Sequence, residues 1–296
     1  MAQRITVKVP VRIDLAGGWT DVPTYCNLHR GQVVNIAINH FVHATSFLDD
    51  ERKMEVSYRT EMPTGCGLGT SGAMNVALVA GISSAGEGPA ALAEKAYQIE
   101  AVLGNKGGRQ DQWASAFGGV QNLIFEGENV VREPLNPSAQ FTTWLQENLL
   151  LFDTHLPHVS GDLHQAIWWR FSKGEKEVER GLAELAHAAE EMAQSIKTEN
   201  KAGVESALKR VMMGTDMLDR KLHDPFREVL QPLEGSGHVA AWKAMGAGGG
   251  GVVGVLQHPT MSQTIIDAAQ KAGWTQVIWN VDWKGVERTV ENKRVS

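Results

Sequence analysis

Three segments of this 296-residue chain combine residue types that can hold an anion and act on it. In the first, Pro10-Val-Arg-Ile-Asp-Leu-Ala-Gly-Gly-Trp-Thr-Asp-Val-Pro-Thr-Tyr, a cation at Arg12 is followed, after the Gly17-Gly18 turn, by an acid at Asp21. Read alone, Arg12 on the polar side of an alternating strand is a solvated face. The second, Pro63-Thr-Gly-Cys-Gly-Leu-Gly-Thr-Ser-Gly-Ala-Met-Asn-Val-Ala-Leu-Val, begins as a glycine loop and ends as an apolar helix starting near Thr70. Glycines let backbone amides converge on an anion without interference from a Cβ, and a helix start adds free amides and a positive dipole end. A phosphate fits such a place, and so does a plain tight turn before a helix. The third, Lys243-Ala-Met-Gly-Ala-Gly-Gly-Gly-Gly-Val-Val-Gly-Val-Leu, has Gly246, Gly248 and Gly251 in G-x-G-x-x-G spacing, with Asp267 further on. A dinucleotide fingerprint needs a strand before it and a helix after it. Here a strand follows, which argues against an oxidoreductase of that kind. A P-loop is excluded because the chain has no Gly-Lys dipeptide. Cys26 and Cys66, in no CxxC spacing, read as bystander thiols of a reducing compartment.

The elements that must carry these segments follow from periodicity. Residues 4–15 alternate with Ile5, Val7, Val9, Val11, Ile13 and Leu15 on one face, a half-buried strand interrupted at Pro10. Further strands are predicted over 32–38, 41–48, 53–58 and 119–125. Between Pro89 at a helix start and Gly104 at a helix end, Leu92, Ala96, Ile99 and Leu103 recur at helical spacing. A second amphipathic helix spans 176–197, with Leu182, Leu185, Ala189, Met192 and Ile196 on one face, and a third spans 202–221. The tail reads as strand 251–256, helix 260–272 and strands 275–282 and 285–290. The order is mixed α+β in two lobes, 1–150 and 151–296.

With 43% hydrophobic residues the chain can bury one large core or two modest ones. Thirty-four acids against 28 bases give a net charge of −6. Such a protein has no overall field to gather nucleic acid, although a local basic pocket can hold a small phosphate ester. No apolar run approaches the ~20 residues of a membrane helix. The first residues pass into alternation without a signal-peptide core, so a cytoplasmic location is expected.

Taken in order, the three segments resemble the kinase superfamily named for galactokinase, homoserine kinase, mevalonate kinase and phosphomevalonate kinase, the GHMP kinases. The nearest look is to the bacterial heptose 7-phosphate kinases and the fucokinases. Residues 10–23 reproduce the pattern P-x-R-I-D-L-A-G-G-x-T-D-x-P, and a fourth block, Glu100-Ala-Val-Leu-Gly-Asn-Lys-Gly-Gly-Arg-Gln-Asp-Gln-Trp-Ala-Ser-Ala-Phe-Gly-Gly, is similar to G-G-[KR]-Q-D-Q-x-A-x-A-F-G-G.

The resemblance implies a two-lobed α+β fold, with a β-rich N-terminal lobe and a C-terminal lobe that is helical plus ferredoxin-like. It places ATP between the lobes, with Gly65, Gly67, Leu68, Gly69, Thr70, Ser71 and Gly72 around the phosphates together with Gly246, Gly248 and Gly249. Ser71 and Glu100 match the Mg²⁺ ligands, and Asp111 matches the acid beside the acceptor hydroxyl. Arg12 matches the cation that keeps that acid ionised and neutralises the transferring phosphoryl group. Asp21, with Thr20, matches positions that bind sugar hydroxyls, and Gly18, Gly108 and Arg109 are assigned to the same acceptor site. Phosphoryl transfer needs positioning and charge neutralisation more than covalent help, so this equipment suffices. The implied activity is ATP- and Mg²⁺-dependent phosphorylation of a sugar or sugar phosphate, at the C1 hydroxyl of D-glycero-D-manno-heptose 7-phosphate or of a free sugar such as fucose.

Three departures from the family pattern stand out. Gly72 replaces Ala or Ser, Met245 replaces Ser or Thr, and His158 stands where Arg is common. The first two keep open a non-enzymatic alternative, a kinase fold that binds nucleotide or sugar without turnover. The third leaves open whether the acceptor carries a distal phosphate. His155, His158 and His164 with Asp153 and Asp162 form an alternative metal cluster. Pairing of the chain as a homodimer is also left open.

Overall fold

The structure, a computed structural model, describes residues 2–48, 54–83, 86–104, 107–157 and 161–293; Lys106 and His158 lie outside them. The N-terminal part runs β1 (Ala2–Ala16), α1 (Pro23–Cys26), β2 (Gly31–Leu48), β3 (Met54–Thr60), α2 (Thr70–Ile82), α3 (Pro89–Val102), α4 (Gln110–Phe117), β4 (Val120–Glu126) and β5 (Asn129–Leu135). There follow α5 (Ala139–Asn148), β6 (Leu149–Asp153), α6 (Gly161–Ser172), α7 (Lys176–Lys197), α8 (Lys201–Leu218), a 3-10 turn (Arg220–Leu222), α9 (Asp224–Gly235), β7 (Val239–Ala244), β8 (Val252–Gln257), α10 (Ser262–Lys271), β9 (Thr275–Val277) and β10 (Glu287–Lys293).

The first sheet has the order β10-β1-β2-β4-β5, with β3 also paired to β2. Its long strands come from the alternating segments, and the two expected strands at 32–38 and 41–48 are one. The expected break at Pro10 is a register shift between Pro10 and Val11 inside a continuous β1. A bulge tolerates a residue without an N–H. Helices α2 and α4 pack against β1 and β2, and so does α7. Residues 9–16 are therefore buried on both faces, and the half-buried expectation holds only for the start of β1.

The second sheet is antiparallel in the order β7-β8-β6-β9. With α6 to α9 between β6 and β7, and α10 between β8 and β9, this is the ferredoxin-like arrangement. The strand expected over 275–282 stops at Val277, because the chain then crosses to the first sheet, where Val281 bridges Ile38. The C-terminal strand β10 pairs with β1, and residue 150 falls within β6. One apolar cluster spans the first sheet, α2, α7 and α8; another fills the space between the second sheet, α9 and α10.

Candidate active site

Arg12 points from the middle of β1 into the end of a cleft and is 3% exposed, so it is not a solvated strand residue. Its Nε donates to Asp111 Oδ1 at 2.8 Å, Nη2 lies 2.6 Å from the same oxygen, and Nη1 donates to the Gly67 carbonyl. Both contacts use Oδ1, and Asp111, at the start of α4, lines the cleft with its Oδ2 free of Arg12 and on the side of Gly69. Burial opposes the charge of Arg12, but the carboxylates of Asp111, Asp14 and Asp21 outweigh it and raise the guanidinium pKa. Arg12 therefore stays charged and fixes Asp111 in one orientation.

Asp21 sits on the other side of Gln110, whose backbone N–H donates to its Oδ2 at 3.0 Å. Burial pushes this carboxyl up to about 7, helped by the charges of Asp111 and Asp14. Gly108 is required here, since a Cβ would stand 1.9 Å from Asp21 Oδ2. Gln110 is 6% exposed, and its Oε1 has no hydrogen-bond partner, an acceptor ready for a donor entering from the cleft.

The two glycine loops meet backbone to backbone. Val252 N donates to Cys66 O at 2.7 Å, and a Cβ on Gly67 would lie 2.5 Å from Met245 O. The second loop leads into α2, whose N-cap, Gly69, lies in the left-handed region at φ 73° and gives no side-chain cap. The first amides of a 13-residue helix are thus left for a ligand, beside a cradle that side chains would fill. This fits the phosphates of ATP. Ser71 lies at that helix start. Glu100, 8% exposed on α3, accepts from Asn75 Nδ2 at 2.6 Å and interacts with Ser71 and Gln112. Burial, together with the charge of Asp111, raises the Glu100 pKa. A buried acid beside a hydroxyl and a second acid is a donor set that a divalent cation would relieve, so the residues fit Mg²⁺.

A cavity of about 700 Å³ joins these groups. Arg12, Asp21, Glu100, Gly108, Gln110, Asp111 and Gly246 line it together with Trp19 and with His164, Gln165 and Trp168 of α6. Gly18 does not line this cavity; it packs against Asp14, where a Cβ would stand 2.1 Å from Oδ2.

Four expected site residues are corrected. The Thr20 side chain is fully buried; its hydroxyl accepts from Gln32 N at 3.0 Å and donates to Gly17 O at 2.7 Å, which fixes the turn and leaves nothing for a sugar. Arg109 points away from the cavity, donating to Glu128 O at 2.7 Å and stacking over Tyr97. Leu68 is a core side chain whose carbonyl accepts from Arg12 N, tying β1 to the loop. The Gly249 N–H donates to Leu222 O, so it does not serve a phosphate. Met245 is fully buried against Gly254, so its side chain lies in the core and not in the cleft. Among the described residues no group of three or more His, Cys, Asp or Glu side chains is placed to hold a metal, and His155 and His164 bond or stack apart from each other.

Two features escaped the sequence. Buried Lys243 Nζ donates to the Asp14 carbonyl at 2.7 Å and lies 3.1 Å from Asp14 Oδ2, linking β7 to β1 directly beside Arg12. The signal was present: Asp14 lies two residues from Arg12 on the same strand face, and Lys243 opens the third glycine segment. The second feature is the aromatic wall. Trp19 is held at φ 82°, a left-handed conformation costing about 1–3 kcal/mol for a bulky residue, and no spacing rule points to it.

Residues 32–119 match the family model described as the GHMP kinases N terminal domain. The matched segment is similar to the N-terminal domain of the GHMP kinases. Beyond it, the chain is 24% identical to the D-glycero-alpha-D-manno-heptose 7-phosphate kinase of Campylobacter jejuni, over 90% of this chain and 93% of that protein. It is 24% identical to the bifunctional fucokinase/GDP-fucose pyrophosphorylase of Arabidopsis thaliana, over 84% of this chain and 29% of that protein. The crystal structure of a D-glycero-D-manno-heptose 1-phosphate kinase from Bacteroides thetaiotaomicron superposes with a TM-score of 0.76 at 18% identity, covering 99% of this chain and all of that one. The GHMP kinase fold therefore extends from the matched domain across both sheets. Among the described residues no helix is long and apolar enough to cross a membrane.

Proposed function

We propose that this GHMP kinase domain and its C-terminal partner transfer the γ-phosphoryl group of ATP to a hydroxyl of a sugar or sugar phosphate. The anomeric C1 hydroxyl of D-glycero-D-manno-heptose 7-phosphate is the first acceptor, and a free sugar such as fucose is the alternative. The observation that carries this reading is the Arg12–Asp111 pair, with Asp111 held through one oxygen at the wall of a cavity that opens beside two packed glycine loops.

Each residue then has a task. Asp111 Oδ2 accepts the hydrogen of the acceptor hydroxyl and holds its oxygen in line for attack. Arg12 orients Asp111 and sets positive charge beside the phosphoryl group in flight. Asp21 and Gln110 bind neighbouring hydroxyls, and the α2 amides with Gly67 and Gly246 hold the phosphate chain. Ser71 and Glu100 would hold Mg²⁺, which supplies charge neutralisation at the phosphates. The use of ATP and the buried, free cysteines agree with a cytoplasmic location. The deciding experiment measures ADP release over a panel of sugars and sugar phosphates, with Asp111→Asn as control. Release that no sugar stimulates would refute the reading.

A further inference from the structure

Strand β3, Met54-Glu-Val-Ser-Tyr-Arg-Thr, pairs with β2 along its whole length on one side. Among the described residues no strand lies on its other side, and five of its seven residues are exposed, with Met54 at 43% and Tyr58 at 38%. An open edge of this kind is a template for another strand. At the far end of the sheet β5 carries Pro134, which has no N–H to give, whereas β3 has no proline.

The ladder shows which backbone groups β3 offers. Glu61 N donates to Phe41 O at 3.0 Å, in the register that pairs Thr60 with Val42. Alternation from that bond turns the N–H and C=O of Glu55, Ser57 and Arg59 toward β2, and those of Met54, Val56, Tyr58 and Thr60 outward. The side chains divide in the same way. Glu55 lies opposite Phe47, and Arg59 opposite His43, on one face. Val56 lies opposite Ser46, and Tyr58 opposite Ala44, on the face toward α2, where Ser46 Oγ donates to Gly81 O at 2.8 Å. Arg59 is exposed, with a loose ion pair of 3.7 Å to Glu61.

The order of residue types is its own complement. Turned antiparallel about Ser57, the strand sets Glu55 against Arg59 twice on one face and Val56 against Tyr58 twice on the other. The outward residues then exchange backbone bonds, Val56 with Tyr58 and Met54 with Thr60, and the charged pairs fall at non-hydrogen-bonded positions, where side chains come closest. Opposite charges and aromatic–β-branched pairs stabilise such a ladder, and like charges oppose it. The neighbouring registers lose this match: centring on Val56 sets Glu55 against Ser57, and centring on Tyr58 sets Glu55 against Glu61. We propose that β3 is the contact between two copies of this chain, which join edge to edge about Ser57 so that the first sheet runs continuously through a two-fold dimer.

A seven-residue edge is a small interface, so sedimentation velocity on the full chain should show a concentration-dependent monomer–dimer equilibrium over the order of 1 to 100 μM. Glu55→Arg makes both mirrored positions cationic and Arg59→Glu makes both anionic. Each raises the dimer Kd about tenfold or more, because two attractive pairs become repulsive. An equimolar mixture of the two variants dimerises again, as does the double variant, which a folding defect could not produce. Ser57→Cys closes an intersubunit disulfide under mild oxidation, since like residues face each other there at about 4.5 Å between Cα atoms. Glu55→Cys, offset from its own copy by about 13 Å along the strand, does not. Cys26 and Cys66 are buried and do not compete. A chain that stays monomeric to the top of that range overturns the proposal. A dimer that neither charge variant weakens, that the mixture does not restore, or that Ser57→Cys does not lock overturns it equally.

Discussion

In the proposed kinase reading, Asp111 is the residue on which the chemistry turns. Asp111→Asn keeps size and polarity and removes only charge and basicity, so kcat should fall about 10²- to 10⁴-fold while ATP and sugar affinities by calorimetry hold. Because Arg12 acts through Asp111, Arg12→Ala combined with Asp111→Asn should cost far less than the product of the single losses. Equal loss of sugar affinity and kcat in Asp111→Asn would make it a binding residue. Asp21 makes a different prediction, about stability. Its folded pKa of about 7 lies above the unfolded value of 3.8, so between those values the folded state holds a proton that the unfolded state has released. Stability contributed by this site is full below pH 3.8 and is lost as pH rises toward about 7. Asp21→Asn should therefore raise Tm more at pH 7.5 than at pH 5, while raising the sugar KM more than the ATP KM. A Tm difference independent of pH would show that the carboxyl titrates normally.

The approach of α4 to α2 depends on Gly72, where a Cβ would stand 2.6 Å from Asp111 Cβ. The departure from the family pattern thus falls where this chain has no room for a Cβ. Gly72→Ala should push α4 outward, costing about 1–3 kcal/mol in urea unfolding and lowering kcat by misplacing Asp111. Retained kcat would show that α4 has slack. At this scale the sequence was readable where one face is buried and the other wet, as on α7, whose buried residues include Leu182, Leu185, Ala189, Met192 and Ile196. It misled on α3: Leu103 is 79% exposed, while Glu100 takes the buried seam beside Ala96, because the cleft replaces apolar packing there. It was silent on α6, where Trp168 and His164 face the cavity and Ile167 and Phe171 face the core, so aromatic and apolar residues on two sides blur the helical period. The fully buried β7 shows no alternation for the same reason. The pattern of four motifs pointed to Arg12, Asp21, Glu100 and Asp111, and all four line the one cavity. It did not separate them from Thr20 and Arg109, whose side chains are fixed by local turns and a distant carbonyl.

Across the whole molecule, the Asp14–Lys243 pair joins the first sheet to the second. Lys243→Met leaves the buried Asp14 carboxylate without its paired ammonium, with the charge of Arg12 as partial compensation, and should cost up to about 3–5 kcal/mol. Adding Asp14→Asn should recover part of that loss, a reversal visible as a shift of the urea midpoint at constant slope. Losses that simply add would mean that the two groups do not sense each other.

The pairing of β10 with β1 also sets an order of events during synthesis. Over residues 2–8 the second edge of β1 has no partner until residues 287–293 have left the ribosome, so until then the nascent N-terminal half carries an open strand edge. The first half of the strand that carries Arg12 thus gains its outer partner late, and a polypeptide stopped short of residue 287 would offer that edge to its neighbours instead of to itself.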